Sequence, residues 1–109
     1  MTIQEMQGAL LDSMVDEIVY VNTDHIIEYM NKAALKRYAK RPTAQVGKSI
    51  FECHNEKSRL TILEIFDALM KGEEERFIIV NRFDKRVIMR AVRDENGKLL
   101  GYYERFEKA

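Results

Sequence analysis

The stretch "FECHNEKSR", Phe51 to Arg59, places the only cysteine of the chain next to one of its two histidines. A thiol beside an imidazole is the raw material of nucleophilic catalysis, metal ligation or redox sensing. Neighbouring side chains, however, diverge by about 100° on a helix and point to opposite faces on a strand. A nucleophile–base dyad needs its two groups within hydrogen-bond reach and a third group to orient the base, and adjacency provides neither, so Cys53–His54 is not read as catalytic. Structural zinc asks for four ligands in paired spacings. With one cysteine and two distant histidines the chain lacks that set, and Glu52 and Glu56 read as water-facing carboxylates. Glu56 would also favour the positive end of a helix dipole. A helix N-terminus and a nearby cationic histidine would lower the pKa of a thiol, which makes Cys53 a candidate redox sensor. The simpler reading is a small buried apolar residue, as most free cysteines are.

What positions these residues follows from size and pattern. A chain of 109 residues with 46% hydrophobic residues can bury one core and is read as one domain. Its 18 basic residues balance its 18 acidic ones without long blocks of one sign, so composition gives no reason to expect nucleic acid or an anionic membrane as partner. Lys32, Lys36, Arg37, Lys40 and Arg41 cluster, but with no reading motif they form a solvated face. A lone cysteine makes no internal disulfide, and "MTIQEMQGALL" lacks the features of a signal peptide. No apolar run approaches the roughly 20 residues that span a bilayer. The expectation is a soluble protein in a reducing cytoplasm.

Ile3, Met6, Leu10 and Met14 fall on one stripe of a helix over residues 3–14. "EIVYVN" and "HIIEYMN" form a hairpin across Thr23 and Asp24, with His25 where positive φ is common. A short helix follows from Asn31 to Arg41 before Pro42, with Ala34, Leu35 and Tyr38 on one side. A longer one opens at Asn55 or Ser58 and runs to Lys71, with Ile62, Leu63, Phe66, Leu69 and Met70 on its buried face and Gly72 as its stop. The runs "RFIIVNRF", "KRVIMRAVRD" and "KLLGYYERFE" then form an antiparallel meander, because the turns between them are too short for parallel crossovers. With the first and last strands paired in the middle, the whole is an α+β sheet of five antiparallel strands with helices on one face. On the last strand, Leu99 and Tyr103 take one side and Leu100, Tyr102 and Phe106 the other. The N-terminal stripe or a second copy would cover the outer face.

In this order the sequence resembles the PAS domain family. "LLDSMVDEIVYVNTDHIIEYMNKAALKRY" is similar to the family's opening strands and small-residue helix, "VGKSIFECH" to its approach to the central helices, and "FDKRVIMRAVRDENGKLLGYYERFE" to its last two strands and D-x-x-G turn. "CHNEKS" resembles the Cys–His segment of some bacterial and archaeal members. The resemblance implies an N-terminal capping helix over residues 1–14 and a PAS domain over 15–109. It also implies a non-enzymatic sensory module whose helical side encloses a small molecule and whose outer face and capping helix mediate dimers.

On that basis Cys53, His54, Leu63, Phe66, Met89 and Tyr103 are candidate ligand contacts, although the last four read first as core. Ile3, Met6, Leu10 and Met14 are candidate homodimer contacts. Haem is an alternative cofactor, ligated by His54 with Met89 or Cys53 as a second ligand. The familiar haem histidine lies within the long helix, whereas His54 precedes it, so a histidine bonded to a local carbonyl is the preferred reading. Flavin is disfavoured, because Cys53 does not stand in the family's photoreactive cysteine motif. Arg90 and Arg93 are expected to reach solvent or a partner; an inward arginine would call for an anionic ligand. The signal would pass to a separate output protein, and a ligand-free assembly module is the competing reading.

Overall fold

A computed structural model describes residues 1–80 and 85–108, and the side chains of Ile79, Val80, Lys85 and Lys108 are not described. The element order is α1 (Ile3–Asp12), β1 (Ile18–Asn22), β2 (Ile27–Met30), α2 (Lys32–Arg37), a 3-10 turn (Ile50–Cys53), α3 (Glu56–Met70), β3 (Glu75–Val80), β4 (Lys85–Arg93) and β5 (Leu99–Lys108). The five strands form one antiparallel sheet in the order β2-β1-β5-β4-β3, so the first and last strands meet in its interior as expected. The expected continuation of the third strand to Phe83, and the turn at Asp84, lie outside the described residues.

α2 and α3 begin after the asparagines that the sequence nominates, Asn31 and Asn55, and α1 opens after Thr2, which the sequence reading did not name. Thr2 and Glu5 form a reciprocal capping box at α1, and the Asn55 side chain accepts from the Ser58 N–H at 2.8 Å at the start of α3. Past its end Gly72 takes φ 111°, a left-handed conformation that costs glycine nothing. His25 sits at φ 65°, as its turn position demands.

The buried faces differ from expectation by one step around the helix. On α3 the core takes Ile62, Ile65, Ala68 and Leu69, while Leu63 and Met70 are exposed. Ile62, Ile65 and Leu69 make the three–four spacing that meets the sheet; Leu63 and Met70 each stand about 100° beyond a buried neighbour. On α2 the same reason leaves Leu35 exposed while Ala34 is buried. That helix stops at Arg37, before the expected Arg41.

A bulge corrects the faces of β5. Val92 pairs with Gly101 and Arg93 with Leu99, which leaves Leu100 as the extra residue. Leu99 therefore joins Tyr102 in the core cluster, and Leu100 is exposed. Arg93 does not reach into solvent as expected. Its guanidinium donates to the Leu69 carbonyl at 2.6 Å and the Glu73 carbonyl at 3.1 Å, satisfying acceptors that the end of α3 leaves over. Arg90 lies 3.6 Å from Glu75.

One fully buried polar side chain ties these pieces together. Asn31 Oδ1 accepts from the Ile18 and Ala34 N–H groups, and its Nδ2 donates to the Leu11 and Asp16 carbonyls, all four at 3.0 Å. It joins the end of α1, the start of β1 and the start of α2.

Candidate functional site

Between the helices and the sheet lies an inner cavity of about 50 Å³, walled by Val19, Ile27, Met30 and Ile50 and by Tyr38, Arg41, Cys53, His54, Glu104 and Phe106. The last six also line an outer groove of about 740 Å³, which continues along Lys57, Ser58 and Thr61 of α3 and Val87 of β4. The site is assembled from the segment after α2, the 3-10 turn, the first turns of α3 and the central strands.

The 3-10 turn fixes Cys53 and His54. Ser49 and Glu52 form a second capping box there, so Ile50 is directed into the core and its carbonyl back over the turn. His54 Nδ1 lies 2.8 Å from that carbonyl, which can only accept, so Nδ1 carries a proton; Cys53 Sγ stands 3.3 Å from the same nitrogen, closer than the divergence of adjacent side chains predicts. No hydrogen bond from the described residues reaches Nε2. The Cys53 thiol also donates to the Ile50 carbonyl, at 3.1 Å, and burial raises its pKa against the pull of Arg41. This thiol is held away from the thiolate form, the reverse of what a redox sensor needs.

Glu104 is the unusual member. It sits on β5 between Val19 of β1 and Met89 of β4, both buried and apolar, and is itself only 6% exposed. Among the described residues no hydrogen bond or ion pair reaches its carboxylate. Burial pushes its pKa up to about 7. Arg41, on the same cavity, donates to the Cys53 carbonyl at 3.0 Å and lies 5.8 Å from the Tyr38 ring centre, with no carboxylate partner among the described residues. Tyr38 is pushed up to about 12, chiefly by burial, and stays a neutral wall.

Of the six candidate contacts named from sequence, the cavity gathers two, Cys53 and His54. Phe66 and Met89 belong to the core: Phe66 packs edge-on to His25, 4.6 Å between ring centres, and Met89 is completely buried outside the cavity wall. Leu63 faces outward. Tyr103 lies across the sheet, in a separate hydrophobic groove of about 480 Å³ with Leu11, Met14, Ile18 and Tyr29. Sequence reasoning missed Tyr38, Arg41, Glu104 and Phe106. For Glu104 a signal existed: it falls between Tyr102 and Phe106 in the two-residue alternation of a central strand, so a carboxylate stands at an inward position.

The PAS domain family matches residues 7–107, nearly the whole chain. The chain belongs to the PAS domain family. PAS domains are generally sensory, non-catalytic modules that commonly dimerise and pair with signalling output domains. No curated protein matches the chain. Among solved structures, a C-terminal domain from Streptococcus mutans is similar at 27% identity and TM-score 0.80, over 96% of this chain and 84% of that one. The PAS domain of Bordetella pertussis BvgS superposes with TM-score 0.73 at 18% identity, over 97% of this chain and 85% of that one. The Vibrio cholerae Aer2 receptor, a dual PAS-haem oxygen sensor, does so with TM-score 0.60 at 20% identity, over 93% and 96%. Within this PAS domain, no helix among the described residues is long and apolar enough to cross a membrane.

Proposed function

We propose that this PAS domain is a cytoplasmic, non-enzymatic sensor that takes a small molecule into the cavity on its helical side. The observation that carries this reading is Glu104, a nearly buried carboxylate that lines the cavity and has no partner within the described residues. An uncompensated buried polar group is costly, and proteins retain such groups where they do something other than stabilise the fold. The cavity touches both the start of α3 and the central strand β5, so a ligand that binds one arrangement of these elements better than another shifts the population toward it.

Native mass spectrometry and an absorbance spectrum of the protein purified from cells test the proposal. A retained mass that denaturation releases is the expected result. Repeated absence of any mass, with no stabilisation by a broad metabolite library, would leave an assembly module instead. Haem is the second reading, and only the outer groove, which His54 also lines, has room for it; a donor bond from Nδ1 to a carbonyl is how metal-bound histidines are commonly oriented. Met89 lines neither the cavity nor the groove, and the Cys53 thiol beside His54 is engaged with the Ile50 carbonyl, so His54 is the remaining ligand of the three named from sequence. A Soret band that is lost on His54→Ala would establish haem.

The output step of this proposal is a homodimer that acts on a separate signalling partner. Ile3, Met6 and Leu10 of α1 are 71%, 41% and 56% exposed, and Met14, which stands two residues past the end of the helix and not on it as expected, is 45% exposed; α1 buries none of its residues in the protomer. The stripe adjoins the hydrophobic groove around Tyr103. Replacing Leu10 and Met14 together with glutamate is expected to give folded monomers in analytical ultracentrifugation where the parent is dimeric. A persistent dimer would place the interface elsewhere.

A further inference from the structure

The reading of the cavity as a small-molecule site can be taken to a ligand class. Glu104 and Arg41 line one cavity, an acid and a base, and are not paired with each other or with any other described side chain of opposite charge. A sequence that needed only stability would bring them together or dispense with both, since desolvating an unpaired carboxylate is costly even where, as here, its oxygens keep a trace of exposure. Unpaired on one cavity, they leave room for something that satisfies both.

A bare anion would meet Glu104 in the apolar inner chamber, and a bare cation would have to pass Arg41 and Lys57 on the groove wall. Each is opposed by one of the two signs. A molecule carrying both is opposed by neither. The inner chamber of about 50 Å³ admits a few water-sized groups, at roughly 10–15 Å³ each. An ammonium group fits that scale, and its N–H donors match the acceptor oxygens that Glu104 presents there. The Tyr38 and Phe106 rings supply apolar wall, with Arg37 already 4.8 Å from the Phe106 ring centre and Arg41 5.8 Å from that of Tyr38.

We propose that the cavity is a site for a small zwitterion of the amino-acid type, its ammonium group on Glu104 and its carboxylate toward Arg41. This rests on the small-molecule reading above, and the test keeps the two apart. Protein freed of retained small molecules by unfolding and refolding is titrated calorimetrically with the common α-amino acids. Each is accompanied by its decarboxylated amine and its deaminated acid. At least one amino acid should bind, with both of its one-charge analogues at least tenfold weaker. Glu104→Gln and Arg41→Gln should each weaken that binding at least tenfold while circular dichroism shows both variants folded. The proposal is overturned if the amine or the acid alone binds as tightly, or if Glu104→Gln binds unchanged. If every member of the panel fails while native mass spectrometry still finds a retained compound of another class, the zwitterion is wrong and the sensor reading stands. If nothing is retained and nothing binds, both fall.

Discussion

Replacing Glu104 by glutamine is expected to stabilise the ligand-free protein by about 3 kcal/mol at pH 8 and to change little at pH 4. The folded carboxyl titrates near 7 and an unperturbed one near 4.5, so between these values the folded state holds a proton that the unfolded state has lost. Stability therefore falls as pH rises through that window. Below it both states are protonated and nothing is lost; above it the full penalty applies, about 3 kcal/mol at roughly 1.4 kcal/mol per pKa unit. Glutamine keeps the shape and removes the charge. The groups around the carboxylate do not cancel the effect: Val19 and Met89 on the flanking strands are apolar, Tyr102 on its own strand and Tyr38 beyond α2 are raised and stay neutral, and the Cys53 thiol is raised as well. The cationic Arg41 and Lys57, with Arg37 farther along the groove, attract the carboxylate in the parent alone, and burial outweighs that attraction because the pKa is raised, not lowered. Urea unfolding of parent and variant at pH 4, 6 and 8 should give curves that converge at low pH and separate at high pH. Parallel curves would mean that Glu104 is already compensated in solution, and the argument for a ligand would lose its main support.

This carboxylate also shows where sequence reading stops. The order of elements and the central pairing of β1 with β5 follow from local signals that the structure repeats: Asn31 and Asn55 as caps, His25 at positive φ and Gly72 as a stop. These depend on neighbours a few residues away. Faces are harder, because a helix turns 100° per residue and α3 offers apolar side chains on more than one side; only contact with the sheet chooses Ile65 over Leu63. The bulge at Leu100 is invisible for the same reason, since it is a property of two paired strands. The cavity is harder still. Cys53 and His54 were legible as an odd pair in one stretch, whereas Arg41 and Glu104 are 63 residues apart by number and meet only through the fold. Chemistry that is local in sequence gives itself away, and chemistry made by topology does not.

Asn31→Ala should be the most destabilising polar substitution in the N-terminal half, at about 4 kcal/mol. Capping alone does not account for that size: loss of an N-cap side chain costs about 1 kcal/mol, which is what Thr2→Ala at the exposed start of α1 should show. Asn31 is completely buried and serves four backbone groups at 3.0 Å each. Alanine leaves the buried Ile18 and Ala34 N–H groups without their side-chain acceptor, at about 1–3 kcal/mol each, while the part-buried Leu11 carbonyl keeps the Met14 N–H at 3.3 Å and the exposed Asp16 turns its carbonyl to water, at smaller cost. Water entering the gap would recover part of the sum, which brings the expectation to about 4 kcal/mol, against the roughly 5–15 kcal/mol that stabilises a domain of this kind. The loss should have a place as well as a size. Two of the four bonds hold the chain between α1 and β1, so α1 should lose its anchorage before the sheet unfolds, and with it the stripe proposed to join two protomers. Hydrogen exchange would then show early loss of protection at the Ile18 and Ala34 amides, and the dimer should weaken in the same variant. A loss of less than about 1 kcal/mol would mean that water replaces the side chain at little cost. Asn31 would then be a helix cap and no more.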